Sequence, residues 1–116
     1  MNRDKLWQLK EHADSGDICA MYDYACETDD REERRRHLKQ SAEEGYIVAM
    51  HEYGLETDDS HERGFYLKQA ADEGYIPAMY DYACETDDRE ERRRHLKQAA
   101  DHGYEPAKQA LWEKGA

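Results

Sequence analysis

The chain is short of positive charge and has no long apolar stretch. Its 17 lysines and arginines face 28 aspartates and glutamates, for a formal net charge of −11. A surplus of that sign repels phosphate backbones. It argues against nucleic acid as a partner and favours basic peptides or basic protein surfaces. No apolar run is long enough to cross a bilayer, and residues 1–17 lack an apolar core of signal-peptide length, so no membrane partner is expected. Cysteine is scarce: Cys19, Cys26 and Cys84 are all there are. An odd count with no CxxC pair and no secretory signal predicts reduced thiols and a cytoplasmic protein.

Catalytic signatures are missing as well. HExxH, Cys/His zinc spacing, a phosphate-cradling glycine loop and GxSxG all fail to occur. Paired carboxylates such as Asp29-Asp30 stand at expected helix starts, where capping explains them. Neither a metal, a cofactor nor catalysis is expected.

What the chain does have is a repeat. Residues Ala20–Gln40 and Ala78–Gln98 are the same 21 letters, and Ala49–Gln69 is a diverged copy between them, each 29 residues from the next. A fixed period in this range marks a stacked architecture in which each unit buries its apolar face on its neighbours. Such stacking also makes room for a chain that is only 38% hydrophobic and 39% charged. The exact 21-residue identity fits a very recent duplication or an engineered array, since drift erodes duplicates and packed cores accept alternative side chains.

Each unit reads as two helices. The first covers roughly Ile18–Glu27, with Ala20, Met21, Tyr24 and Ala25 on one face at helical spacing. Thr28-Asp29-Asp30 supplies capping side chains, with Asp29 and Glu32 as a capping box. A second helix runs from about Asp30 to Glu44 with Leu38, Ser41 and Ala42 inward. Gly16, Gly45, Gly74 and Gly103 fall in one register, where a left-handed residue ends a helix. Pro77 and Pro106 suit the first turn of the helices that follow. Lys5–Asp14 aligns with the second helix and Ala107–Lys114 with the first. The expected fold is therefore all-α, a right-handed α-solenoid of antiparallel helix pairs. It has eight helices in four 29-residue units (about 1–29, 30–58, 59–87 and 88–116) within a single domain, 1–116.

The string Leu67-Lys-Gln-Ala-Ala-Asp-Glu-Gly74-Tyr-Ile-Pro-Ala78-Met-Tyr-Asp-Tyr82-Ala resembles the Sel-one-like repeats, relatives of tetratricopeptide repeats. Ala70, Ala71, Gly74 and Ala78 match the family pattern directly, and Tyr53-Gly54 matches its Leu-Gly pair with tyrosine in the leucine place. All four units are covered, in a shortened form that lacks the end of the first helix and the loop after it. The resemblance implies an α-solenoid used for protein–protein contact.

Three sets of residues are candidates for more than packing. Glu27, Glu56 and Glu85 each precede Arg34, Arg63 and Arg92 by seven residues, and are expected to form structural ion pairs across the corner of each unit. The face of the first helices opposite the core carries Tyr22, Asp23 and Cys26, then His51, Glu52 and Leu55, then Tyr80, Asp81 and Cys84. If these helices line the concave side, aromatics stand beside carboxylates in a groove suited to a basic peptide. Trp7 and Trp112 lie in the end helices, as caps or as anchors of a head-to-tail contact between copies. The exchange of Cys26 and Cys84 with Leu55 also points to a small buried hydrophobe in that register. Histidine exchanging with tyrosine, at His37, Tyr66 and His95, suggests a semi-buried filler.

Overall fold

The structure, a computed structural model, describes residues 3–113. Residues 1–2 and 114–116, which belong to the first and last expected units, lie outside the described residues, and so does Lys114, the expected end of the eighth helix. The described residues form α1 (Arg3–Asp14), α2 (Ile18–Glu27), α3 (Arg31–Glu43), α4 (Ile47–Glu56), α5 (Ser60–Asp72), α6 (Ile76–Glu85), α7 (Arg89–Asp101) and α8 (Glu105–Glu113). They contain no strand. The chain divides into two compact units, Met1–Asp58 with α1–α4 and Asp59–Ala116 with α5–α8.

Local chemistry sets the helix boundaries. The second helix of each repeat is capped by Asp30, Asp59 or Asp88, whose carboxylate accepts from the backbone N–H groups two and three residues on. The cap is thus one residue later than the expected Asp29. Thr28 and Thr86 explain the shift: their hydroxyls accept from the N–H of Asp30 and Asp88 and so position the second aspartate of each pair. At the other end of α3, Gly45 has φ +97°, its N–H donates to the Ala42 carbonyl, and the Tyr46 N–H donates to that of Ser41. This closes a helix with a left-handed residue at low cost only when that residue is glycine.

Packing follows the expected faces. In the first unit Ala20, Met21, Tyr24 and Ala25 of α2 are buried with His37, Leu38, Ser41 and Ala42 of α3 and Ala49, Met50, Tyr53 and Gly54 of α4. Leu6 and Leu9 of α1 pack against this core. The second unit repeats the arrangement with Leu67, Ala71, Met79, Tyr82, Ala83 and Leu96. The histidines are a correction. His37 and His95 are fully buried, at 0% and 1% exposure, not semi-buried. Each presents Nδ1 to the carbonyl four residues earlier (Glu33, Glu91), which satisfies that nitrogen within the helix, and each ring packs edge-on against a tyrosine (Tyr24, Tyr82).

Candidate partner-binding surface

The face of the first helices combines aromatics and carboxylates in both units. In the first, the Tyr22 hydroxyl of α2 donates to Glu52 of α4 at 2.7 Å, and its ring tilts against Tyr46 with centroids 5.2 Å apart. Burial first, and then the bond to Glu52, push the Tyr22 hydroxyl well above its ordinary value, so it stays a donor. Asp23, Cys26 and Leu55 are exposed beside this pair, and His51 is half-buried. In the second unit Tyr80 tilts against Tyr104 at 5.7 Å, with Asp81 half-buried and Cys84 exposed. Tyr22 and Glu52 therefore serve partly as a tie between neighbouring first helices, while Asp23 and Leu55 are open to solvent.

All three cysteines are exposed, which corrects the expectation of a buried hydrophobe at Cys26 and Cys84. The register faces outward, and so Leu55 of α4 is 48% exposed too. Partial burial, joined by the charge of Glu52, raises the Cys26 thiol above its ordinary value. A protonated thiol is a poor nucleophile.

The repeated arginines and glutamates do pair, but with different partners from those expected. Arg34 lies 2.6 Å from Glu56, and Arg63 lies 3.5 Å from Glu85. The partner is 22 residues ahead, on the next first helix, not seven residues behind on Glu27 or Glu56. Arg92 donates instead to the carbonyls of Thr86 at 2.7 Å and Ala83 at 3.3 Å, where α6 ends and carbonyls lack helical partners. Glu27 is exposed. A cleft of about 380 Å³ lined by Arg31, Arg34, Arg35 and Glu56 lies beside the first of these pairs.

A second repeated cluster has no counterpart in the sequence reading. Glu33 of α3 accepts from the Tyr24 hydroxyl of α2 and from Lys10 of α1, at 2.9 Å for the lysine. Glu91 of α7 accepts from Tyr82 at 2.5 Å and pairs with Lys68 of α5 at 3.3 Å. One carboxylate thus joins three consecutive helices. The Tyr24 hydrogen bond first, and then Lys10, hold the Glu33 carboxyl below its ordinary value, and Tyr82 and Lys68 do the same for Glu91. The clue in the sequence was the need of each buried tyrosine hydroxyl for an acceptor.

The exposed large apolar side chains of the described residues are Trp7 at 61%, Leu55 at 48%, Phe65 at 56% and Trp112 at 86%. Among the described residues no three His, Cys, Asp or Glu side chains converge so as to hold a metal ion, and no helix is long and apolar enough to cross a membrane. What the surface offers chemically is hydrogen bonding, ion pairing and apolar contact.

No protein-family model matches the sequence, and no curated protein does. Among solved structures, a Sel1 repeat protein from Oxalobacter formigenes is similar, with a TM-score of 0.79 and 25% sequence identity; the match covers 94% of this chain and 98% of that one.

Proposed function

Because the chain is a Sel1-like repeat protein with an all-α solenoid fold, we propose that it is a non-catalytic scaffold binding proteins or peptides through its first helices. One observation carries the reading: in the first unit, exposed Leu55 and Asp23 flank the bonded Tyr22–Glu52 pair, so apolar and acidic groups share one surface. Tyr80, Asp81 and Cys84 form the equivalent face of the second unit. The ligand that suits such a face is a peptide with lysine or arginine beside an apolar residue. Charge favours its approach, because the whole chain is acidic.

The test is binding of labelled peptides that differ only in charge, against the chain and against Asp23→Ala, Glu52→Ala and Asp81→Ala. Basic peptides bind the chain more tightly than acidic ones, and the variants weaken them. A preference for acidic peptides at this face, or no response to the three substitutions, sinks the reading.

A second reading is self-association through the ends, supported by the exposure of Trp7 and Trp112. A solution mass that climbs with concentration in light scattering would favour it.

A further inference from the structure

Tyrosines pair in the same way in both units. In the first, Tyr22 of α2 and Tyr46, which precedes α4, lie with ring centroids 5.2 Å apart and planes at 43°. In the second, Tyr80 of α6 and Tyr104, which precedes α8, lie 5.7 Å apart at 49°. All four side chains are half-buried, so part of each pair stays open to solvent. Tyr46 and Tyr104 stand in the links between helices, outside the helical face that spacing alone picks out.

Negative charge adjoins each pair. Glu52 accepts from the Tyr22 hydroxyl at 2.7 Å, which fixes that ring. Asp23 is exposed and, among the described residues, has no cation against it. Burial first, and then the charges of Cys19 and Asp23, raise the Tyr46 hydroxyl above its ordinary value, so Asp23 is within electrostatic reach of the pair. Burial, and then Asp81, do the same at Tyr104. The phenols therefore stay neutral. The face of a neutral tyrosine attracts a cation through its ring quadrupole, and a carboxylate beside it adds Coulomb attraction. Rings alone would take any apolar group; rings beside a carboxylate select a cation.

We infer that each tyrosine pair, with its aspartate, is a seat for an arginine side chain of a partner. The inference rests on the reading of this face as a site for basic peptides, and it narrows the ligand from basic to arginine-bearing. A guanidinium is planar and weakly hydrated. It stacks on a tyrosine ring while two of its N–H groups meet the aspartate in parallel. A lysine ammonium is compact and strongly hydrated, so it gives up more water at the ring and meets the carboxylate as a point charge. In the first unit the seat is preformed, because Glu52 already holds Tyr22. Little ordering then opposes binding.

The probe is a short fluorescein-labelled peptide with arginine beside leucine in a glycine-serine background. Twin peptides carry lysine or the neutral isostere citrulline in the arginine place. Anisotropy is measured with the full chain, with Tyr46→Leu/Tyr104→Leu and with Tyr46→Phe/Tyr104→Phe, and circular dichroism checks that the variants keep their helices. All charges of the chain are retained in both variants. The chain is expected to bind the arginine peptide about fivefold more tightly than the lysine twin, and the citrulline twin least. The phenylalanine variant keeps this preference, and the leucine variant binds the two basic peptides equally. Equal binding of arginine and lysine by the chain, a preference that survives in the leucine variant, or citrulline bound as tightly as arginine overturns the inference. Asp23→Ala/Asp81→Ala separates it from the reading beneath it. If that variant weakens both basic peptides while the chain does not tell them apart, the face still takes basic peptides and only the arginine seat falls. If no peptide binds, or no substitution changes binding, both fall.

Discussion

Arg34 of α3 lies 2.6 Å from Glu56 of α4, and this pair joins the second helix of one repeat to the first helix of the next. Both side chains are about one-third exposed, which limits its worth through solvent screening. A double-mutant cycle of Arg34→Ala and Glu56→Ala in urea melts should give a coupling of about 0.5 kcal/mol. The same cycle between Arg34 and Glu27 should give none. Coupling to Glu27 instead would restore the within-repeat pairing expected from the sequence.

Acid sensitivity should centre on Glu33 and Glu91. Both carboxyls are held below the ordinary 4.5 in the folded chain. Their stabilising effect is therefore present above about pH 4.5 and is lost as pH falls through the lowered folded values. The melting temperature of Glu33→Gln/Glu91→Gln should lie below that of the parent at pH 7, and the gap should narrow towards pH 3. A gap that stays constant over that range would mean the carboxylate charge contributes nothing.

Two glycines should respond to alanine in opposite directions. Gly74 has φ +95°, so alanine there should destabilise by about 1 kcal/mol. Gly64 lies inside α5, and a Cβ added there meets nothing within 4 Å, so Gly64→Ala should stabilise by about 0.5–1 kcal/mol. Chemical denaturation of the two variants side by side checks both signs at once.

The core should be sensitive at its leucines. Leu38 and Leu67 are 1% and 0% exposed, and truncation to alanine should cost about 2–4 kcal/mol each. Removing His37, equally buried and edge-on to Tyr24, should cost a comparable amount through the cavity it leaves. Differential scanning calorimetry distinguishes these losses from that of an exposed control such as Trp7→Ala, which should shift little.

Legibility in the sequence followed the range of the interaction. Helix bounds, the glycine stops and the inward faces of Ala20, Met21, Tyr24 and Leu38 could be read because they depend on neighbours within one or two turns. The cap slipped by one residue, from Asp29 to Asp30, because the choice between two adjacent aspartates depends on where Thr28 turns the backbone. The exchange of Cys26 and Cys84 with Leu55 signals a shared environment without saying which, and that environment is the exposed face.

By itself, the sequence determined that this chain stacks helices with a 29-residue period, that glycine ends the second helix of each repeat, and that the surface is acidic. These are matters of composition, periodicity and local backbone preference. Only the tertiary structure decided the partners. It sent Arg34 forward to Glu56 instead of back to Glu27, gave Tyr24 and Lys10 to Glu33, and buried His37 completely. The physical reason is that a side chain's partner across a helix contact depends on the offset and rotation of the two packed helices, which spacing along one helix does not specify.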